Sequence, residues 1–398
     1  NNPPLFPSIL IMALEALPPK PGLGMTAELH LEDVQRAVDV EQQEHRPQRV
    51  LPAEWAPQSA VQLTWPHADT DWRDLLAEVT ETYVRLAYEI ASRQPLLIVS
   101  PEPDEVQSLL SRRLPAAALQ NVHFVAAPSD DTWARDHAFL TVLSDNGAEL
   151  LDFRFNGWGG KFAAERDNAI NRRLFDTGWL RGHYVSALDF ELEGGAIESD
   201  GAGTLLTTAA CLLNPNRRLE GDAVPVPDRG QVELLLRERL GAERILWLHH
   251  GYLAGDDTDS HIDTLARLCP NHTIVYVKCD DPSDEHHAEL QAMEAELEAL
   301  RTADDRPYHL LALPMPDAIH DEAGERLPAT YANFLIMNRA VLLPTYHQPE
   351  HDEAARKVLQ RAFPQHEIVG VDCRSLIRQH GSLHCVTMQY PRGVVRFD

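Results

Sequence analysis

Residues 192–208 read LEGGAIESDGAGTLLTT and carry the clearest strand–turn–strand pattern of the chain. Asp200-Gly201 stands between two short runs with strand character, Gly195–Ser199 and Gly203–Thr208. Glycine readily takes the positive φ that a tight hairpin turn requires, so this stretch predicts a β-hairpin. The elements predicted on either side of it decide the fold class.

Short β-branched runs alternate with amphipathic helical segments along the rest of the chain. The predicted helices are Asp71–Arg93, Pro103–Arg113, Gln231–Leu240, Ser283–Arg301 and Glu350–Phe363. The predicted strands, besides the hairpin, are Ala60–Trp65, Pro95–Ser100, Val122–Ala127, Ala138–Leu143, Glu149–Phe155, Arg244–His249, Thr273–Lys278, Tyr308–Leu313, Ala340–Tyr346, Glu367–Asp372 and Val394–Phe397. Groups of strand, helix and strand recur about five times without a long linker, which predicts one pseudo-repeated α/β domain over residues 51–398.

Residues 1–50 are interpreted as an N-terminal extension. The apolar run at residues 5–17 is too short to span a bilayer, and it lacks the basic leading segment of a secretory signal. Met25 is interpreted as the natural start, with residues 1–24 as an upstream addition.

The charge of the chain limits its partners. The 398 residues include 35 basic and 61 acidic side chains, for a net charge of −26. Such a surface repels nucleic acid and anionic membranes and attracts cations, so neither class of polyanion is expected as a partner. Homo-oligomer formation stays open.

The cysteines indicate a reducing compartment. Five of them are scattered without a C-x-x-C pair: Cys211, Cys269, Cys279, Cys373 and Cys385. This usage predicts neither a disulfide framework nor a thiolate zinc site, and a cytoplasmic location fits it best.

Cys385 has the sequence setting of a nucleophile. Gly381-Ser382 allow a sharp turn before it, and Val386-Thr387 begin a predicted strand after it. A free thiol with a pKa of about 8.5 is only slightly ionised at neutral pH, so it needs a nearby base or cation. A bound cationic substrate could supply that field. The alternative is a buried structural cysteine.

A second segment, residues 256–263, combines acidic side chains with a histidine. His261 and Asp263 share one face if the segment is extended, so that one could move protons and the other bind charge. The alternatives are an acidic surface loop or a metal site formed with Asp257 and Asp259. A calcium loop needs a glycine turn and a distant bidentate Glu in register; neither occurs here, so no metal is predicted.

Two further segments offer groups for a flat cation. The face of Trp133 can stack on it, and Asp136 can accept two hydrogen bonds from a guanidinium in fork geometry. Arg135 adjoins both, and its plain alternative is a surface ion pair with Asp136. Glu193 precedes Gly194-Gly195, and a glycine there allows a ligand to approach the backbone closely. The plain alternative is a turn at a strand entry.

Other catalytic motifs are excluded. Residues 155–161 read FNGWGGK, but Phe162 follows the lysine, so the phosphate-loop spacing is not met. Neither a G-x-S-x-G elbow nor an H-E-x-x-H helix occurs in the chain.

Taken in order, these segments resemble the agmatine deiminases and the related bacterial peptidylarginine-deiminase-type proteins. The resemblance extends from about Leu51 to Arg392. It rests on residues 51–55, 131–136, 155–160, 192–195, 205–208 with 211–217, 257–263 and the Cys385 segment.

The resemblance implies the pentein fold, a pseudo-fivefold α/β propeller with a central active site, and a reaction without a cofactor. It implies that Cys385 attacks the guanidinium carbon of agmatine and expels ammonia, and that water then hydrolyses the thiouronium intermediate to N-carbamoylputrescine, a step of putrescine and polyamine biosynthesis. His261 would transfer protons, Glu193 would orient His261, and Asp136 and Asp263 would bind the guanidinium nitrogens. Trp133 would line the pocket, with Arg135 and Gly195 among the substrate-binding residues.

Three features differ from the usual family pattern. Glu198 stands where many agmatine deiminases have a histidine, and Ser260 stands where glycine is usual. The segment before Cys385 reads Gly-Ser-Leu-His rather than a Gly-Gly-Asn-Ile-His type. None of them removes an implied catalytic residue, but they leave the substrate's tail open. Arginine, peptidyl-arginine or another guanidine, amidino transfer to an amine, and a non-catalytic binding protein remain alternatives.

Overall fold

The computed structural model describes residues 49–217 and 228–397. The predicted N-terminal extension, except for its last two residues, lies outside the described residues. Its strands are β1 Arg49–Val50, β2 Gln58–Thr64, β3 Leu96–Ser100, β4 Val122–Ala126, β5 Leu140–Ser144, β6 Gly147–Arg154, β7 His183–Glu191, β8 Ile197–Ser199, β9 Thr204–Thr208, β10 Arg244–Leu248, β11 Ala266–Cys269, β12 Thr273–Lys278, β13 His309–Pro314, β14 Leu335–Ile336, β15 Ala340–Thr345, β16 Glu367–Asp372 and β17 Thr387–Pro391.

Five helices are longer than two turns: α1 Leu76–Ala91, α2 Pro103–Arg113, α3 Arg229–Leu240, α4 His287–Ala299 and α5 Pro349–Ala362. Shorter helical segments are Ala116–Leu119, Ala134–His137, Gly157–Gly160, Glu165–Asn168, Ile170–Asp176, Ala209–Leu212 and Arg374–Ile377. The 3₁₀ turns are Arg73–Leu75, Gly194–Ala196, Pro215–Arg217 and Ile262–Thr264. No helix of these ranges is both long and apolar enough to cross a membrane.

The strands form five sheets, ordered β1-β5-β6-β7, β10-β9-β8, β11-β12-β13, β14-β15-β16 and β17-β2-β3-β4. Each sheet contains an antiparallel pair followed by a parallel pair. A helical segment connects the two parallel strands in every case, as a parallel pair requires. This repeated unit confirms the α/β class. The C-terminal strand β17 pairs with β2 and so joins the two ends of the described chain in one sheet.

The hairpin prediction is confirmed. Strands β8 and β9 pair antiparallel, with Glu198 opposite Leu206. Gly201 has a φ of 71°, and the Asp200 side chain accepts hydrogen bonds from the backbone N–H groups of Ala202 and Thr204. The turn therefore uses glycine for its backbone and aspartate to bind the loop amides.

Helix packing follows the apolar periodicity. In α1 the side chains of Val79, Tyr83, Leu86 and Ile90 are buried. They lie on one face of the helix, as expected for the amphipathic helix predicted at Asp71–Arg93. Helix α4 buries Leu290, Met293 and Leu297 but begins at His287, not at Ser283. Asp281 and Asp284 accept hydrogen bonds from the N–H groups of residues 283 and 286, and such local bonds compete with helix formation.

Some strand predictions are wrong. Residues 394–397 contain only an isolated bridge between Val395 and Leu180. Strand β7 was not predicted, because its exposed and buried residues do not alternate with a period of two. Its pairing with β6 is interrupted by a register shift next to Arg154.

Candidate active site

The segments that connect one sheet to the next meet around Cys385. Asp136 lies between β4 and β5, Gly195 between β7 and β8, and His261 between β10 and β11. Asn333 lies between β13 and β14, and Cys385 directly precedes β17. Each of the five connections between sheets therefore contributes a residue to the same site.

A cavity opens over this place. Its lining includes Cys385, Asp136, Asn333 and the aromatic rings of Trp133 and Trp158. Carboxylates are frequent around it, and among the described residues that line it there is no lysine or arginine. Such a site attracts a cation.

Gly195 shows how closely the candidate residues converge. A Cβ atom on this residue would lie 2.6 Å from Nδ1 of His261, 3.0 Å from Oδ1 of Asp136 and 3.1 Å from Oδ2 of Asp263. The Gly195 N–H donates to Oδ1 of Asp136 at 3.2 Å. Only a residue without a side chain fits here, because the side chains of His261, Asp136 and Asp263 lie so close to the Gly195 backbone.

Cys385 is buried against Asn333. Its Sγ lies 3.4 Å from the Asn333 side-chain oxygen, which also accepts the backbone N–H groups of His384 and Cys385. Burial, and then the carboxylates of Asp263 and Asp136, raise the pKa of the Cys385 thiol well above its usual value. Without a cation in the site the thiol is therefore protonated at neutral pH.

The two aspartates differ in their protonation. Burial and then the charge of Asp263 raise the pKa of Asp136 to about 7, although Trp158 Nε1 donates to its Oδ2 at 3.0 Å. Burial would also raise the pKa of Asp263. However, Nδ1 of His384, 2.7 Å from Oδ2 of Asp263, holds that pKa below its usual value. The site thus contains one stably ionised carboxylate and one that titrates near neutrality.

His261 is a neutral imidazole in this arrangement, because burial lowers its pKa to about 3. Its Nδ1 lies 3.7 Å from Oδ1 of Asp136, and its Nε2 lies 4.0 Å from Oε1 of Glu193. The other oxygen of Glu193 binds the guanidinium of Arg217, which fixes the carboxylate. An approach of about 1 Å would complete a hydrogen bond between His261 and Glu193.

Three buried polar atoms beside the cavity have no hydrogen-bond partner within the described ranges: Oδ1 of Asp263, Oε1 of Glu193 and Nε2 of His261. His261, Asp263 and Glu193 are fully buried and are not part of the cavity lining. Buried polar atoms are almost always paired in native proteins. Nε2 of His261 and Oε1 of Glu193 can pair with each other after the approach of about 1 Å, so Oδ1 of Asp263 is the atom that indicates a missing ligand with N–H donors.

Trp133 lines the cavity as predicted. Its ring packs on Gly381, where a Cβ atom would lie 2.1 Å from the indole. Trp158 stands edge-on to it, with ring centroids 6.2 Å apart. The apolar cavity wall is therefore formed by two indoles.

Trp158 belongs to the rejected phosphate loop. The segment Gly157–Gly160 consists of four consecutive residues with φ of 65°, 56°, 92° and 76°, and this backbone directs the indole N–H at Asp136. The segment therefore serves the site through an indole instead of through phosphate-binding amides.

The surface ion pair between Arg135 and Asp136 is wrong, because both side chains are buried. The Arg135 guanidinium contacts the His384 carbonyl and the Met388 sulfur and, like the carboxylate of Asp263, is not part of the cavity lining. What Arg135 contributes is its backbone N–H, which donates to the Cys385 carbonyl at 3.1 Å and ties two site segments together.

The unusual residues of the sequence have structural partners. Glu198 accepts hydrogen bonds from Nε of the buried Arg267 and from the Leu268 N–H. Ser260 has a φ of 67°, a conformation that glycine adopts more easily. Its N–H donates to Asp256 and its carbonyl accepts from Thr208, which hold it in place.

The acidic segment at residues 257–259 is bound to a lysine. Asp259 and the Asp257 carbonyl accept hydrogen bonds from Lys161. Within the described ranges, the only trio whose potential ligand atoms lie within 4.8 Å of one another is Glu54, Glu198 and His384. The guanidinium of Arg267 already binds both carboxylates of this trio and contacts the imidazole, so a cationic side chain takes the place of an ion.

Sequence reasoning missed Asn333, Trp158 and the set around His384. A signal for Asn333 was available, because a fivefold repeat predicts one contribution from every connection between sheets. Glu54 lies in residues 51–55, on which the resemblance rests, but no local pattern gives it a role, and none marks Arg267. The two residues meet His384 across 330 and 117 positions of sequence.

Comparison with known proteins finds relatives that match most of the chain. The sequence profile of the Porphyromonas-type peptidyl-arginine deiminases matches residues 50–391. The agmatine deiminase of Stutzerimonas stutzeri strain A1501 is 33% identical over 371 residues, which cover 87% of this chain and 96% of that protein.

Solved structures with the same fold include two that are more than a third identical. A Porphyromonas gingivalis protein provisionally named an arginine deiminase is 51% identical with a TM-score of 0.81, over 87% of this chain and 100% of that one. A Cys-to-Ser variant of the C. jejuni agmatine deiminase with substrate bound is 36% identical with a TM-score of 0.79, over 88% and 98%.

Proposed function

The chain belongs to the family of Porphyromonas-type peptidyl-arginine deiminases, and we propose from this premise that it is an agmatine deiminase. It hydrolyses agmatine to N-carbamoylputrescine and ammonia, without a cofactor, in putrescine and polyamine biosynthesis. The observation that carries the proposal is the unpaired, buried Oδ1 of Asp263, a residue that lies with Asp136 and His261 beside Cys385. The relatives named agmatine deiminase support it.

A guanidinium supplies the missing donors. It is planar, permanently charged and carries five N–H donors in a fixed fork. Asp136 and Asp263 bind its nitrogens from two edges, and each charge-assisted hydrogen bond contributes roughly 1.5–3 kcal/mol. The guanidinium carbon is thereby held over Cys385, and this positioning lowers the entropic part of the barrier.

The substrate itself activates the nucleophile. Its positive charge offsets the two carboxylates that raise the pKa of the Cys385 thiol. The thiol then transfers its proton to neutral His261, and the thiolate forms a C–S bond to the guanidinium carbon. Asp136 and Glu193 flank the imidazolium that results. As the C–N bond breaks, His261 returns the proton to the departing ammonia and leaves a thiouronium on Cys385.

Hydrolysis reverses these roles. A water molecule gives a proton to His261 and its oxygen adds to the thiouronium carbon. The C–S bond breaks and Cys385 takes the proton back from His261. The hydroxyl of the adduct loses its remaining proton to solvent as the carbonyl of the ureido product forms, and the released ammonia takes up that proton as ammonium. Glu193, fixed by Arg217, orients His261 for both proton transfers.

The cavity lining favours an amine over an amino acid. Asp71, Asp131, Asp256 and Asp257 are among its lining residues, without a lysine or arginine among the described ones. An α-carboxylate would need a cationic partner there, whereas the ammonium of agmatine suits the carboxylates. Arginine is the second candidate because the P. gingivalis protein carries that name.

A panel of guanidino compounds tests the assignment. We expect agmatine to release ammonia and to give a ureido product with a kcat/KM at least about tenfold above those of arginine, a peptidyl-arginine and arcaine. A preference for arginine would replace the proposal with the second candidate. Transfer of the amidino group to an added amine would indicate an amidinotransferase, and no turnover of any compound would indicate a binding protein.

Thiol alkylation tests activation by the substrate's charge. We expect cationic 2-chloroacetamidine to alkylate Cys385 faster than the isosteric, neutral 2-chloroacetamide, because only the cation lowers the thiol pKa. The rate ratio, divided by the ratio for glutathione, is expected to reach about tenfold or more at pH 7. Asp136→Asn should reduce that preference. Equal normalised rates for the two reagents would contradict substrate-assisted ionisation.

The same proposal includes the architecture of the domain and the cellular location of the enzyme. The five sheets are the blades of a pseudo-fivefold propeller, and residues 51–398 form a single catalytic domain. The enzyme acts in the cytoplasm, a compartment in which the five free cysteines stay reduced. Homo-oligomer formation stays open.

A further inference from the structure

His384, the residue before the nucleophile, is held between two carboxylates. Its Nδ1 lies 2.7 Å from Oδ2 of Asp263, and its Nε2 lies 2.7 Å from Oε2 of Glu54. The side chain is buried and is not part of the cavity lining. It therefore contacts the guanidinium-binding Asp263 from the side away from the substrate.

The two contacts determine the charge of the ring. An ionised carboxylate only accepts hydrogen bonds, so an imidazole that contacts one at each nitrogen has to donate from both. Glu54 is ionised, because it also accepts from Arg267 at 2.8 Å and from the Ile336 N–H at 2.7 Å. Nε2 of His384 also lies 3.1 Å from Nη2 of Arg267, which could donate to a neutral ring. That ring would, however, place the same lone pair only 2.7 Å from Oε2 of Glu54, which is repulsive, so the shorter contact requires an N–H on Nε2.

We propose that His384 is a positioning residue: as an imidazolium held between Glu54 and Asp263, it keeps the Asp263 carboxylate ionised and directed at the substrate guanidinium. The inference rests on the proposed deiminase function. His384 touches no reacting atom and acts through Asp263.

The orientation of Asp263 follows from this contact. His384 binds Oδ2 and leaves Oδ1 as the unpaired oxygen for the substrate. Asn333 fixes the same two segments through their backbone, because it donates to the Asp263 carbonyl and accepts from the His384 N–H. Loss of the His384 ring would free the Asp263 side chain to rotate while its backbone stays held.

The remaining charges explain why a cation is needed behind Asp263. The ionisable groups that face this pair from the surrounding segments are Glu54, Arg135, Asp136, Glu198, Asp256, His261, Arg267 and Cys385. Arg267 is engaged with Glu54, Glu198 and the carbonyls of Ala332 and Phe334. Without the imidazolium, Asp263 would repel Asp136 with no cation bonded to it, and protonation would relieve that repulsion.

The replacement His384→Asn tests the charge separately from the hydrogen bond. Asparagine keeps an N–H that can reach Asp263 but carries no charge. Loss of the cation raises the pKa of the aspartate pair, so the acid limb of kcat/KM for agmatine should move up by about one pH unit or more. Activity should recover toward wild type at higher pH. A merely structural role would lower kcat/KM by the same factor at every pH.

Two further variants provide a second test of the charge of His384 and a control. Glu54→Gln allows His384 to become neutral, and it should shift the acid limb of the kcat/KM profile to higher pH as well. His286→Asn removes another buried histidine, which bonds Asp284 and the Ala254 N–H, and should leave the limb where it is. If His384→Asn does not fold, Glu54→Gln decides, and an unmoved limb in the variant that folds overturns the proposal.

A measurement without turnover separates this inference from the proposed function. Ring ¹⁵N chemical shifts of wild-type His384 at pH 7, assigned by their absence in His384→Asn or by sequential connectivity, should show two protonated nitrogens. A neutral ring overturns the proposal whatever the enzyme's substrate is. Failure of the wild type to release ammonia from agmatine overturns the function and leaves this spectroscopic result standing.

Discussion

Cys385→Ser is expected to lower kcat/KM for ammonia release from agmatine by at least about 1,000-fold, with the fold intact. The serine hydroxyl is far less acidic than a thiol, so the substrate's charge cannot convert it to an anion at neutral pH. Agmatine should still bind, because Asp136 and Asp263 hold the guanidinium. Ammonia assays, calorimetric titration with agmatine and thermal melts together check these three statements.

Cys279→Ala is the matched control for this loss. Cys279 is also buried, but it contacts the Asp281 carbonyl and does not line the cavity. We expect this variant to keep wild-type turnover. Turnover near the wild-type level in Cys385→Ser or Cys385→Ala would end the proposal of covalent catalysis by this residue.

Gly195→Ala is expected to lower kcat/KM for agmatine by about 100-fold or more. The added methyl would lie 2.6 Å from His261 Nδ1, a distance that real contacts essentially never show, and 3.0 Å from Asp136 Oδ1, which is tighter than most real contacts. His261 would have to move by close to 1 Å, a displacement that costs about two orders of magnitude in rate when it affects catalytic geometry. Gly195 does not have a positive φ, so the effect is steric and involves no backbone strain.

Gly230→Ala provides the comparison. Gly230 lies in the first turn of α3, and a Cβ there would meet only Oδ1 of Asp228, at 3.4 Å. Alanine is the better helix former, so this variant should keep full activity and gain about 0.5–1 kcal/mol in the free energy of unfolding. Full activity in Gly195→Ala would mean that the carboxylates and His261 do not converge as described. Urea unfolding and kcat/KM measurements on both variants separate the outcomes.

The sequence by itself determined those features that depend on local order. The period of apolar residues located α1, and Asp200-Gly201 located the hairpin, because both patterns act through neighbouring residues. The chemistry of single side chains also pointed to Cys385, His261 and Asp136, since a thiol, an imidazole and a carboxylate have few roles in a strongly acidic chain.

Only the tertiary structure determined which residues contact these groups and which charges they carry. It brought Glu54 and Arg267 to His384 across long stretches of sequence, and it placed the guanidinium of Arg135 outside the cavity lining. The protonation states also depended on it, because burial and the distance between carboxylates set the pKa of Asp136 and Cys385. A residue's chemical type can be read from the sequence, whereas its charge and direction depend on neighbours that the fold alone assembles.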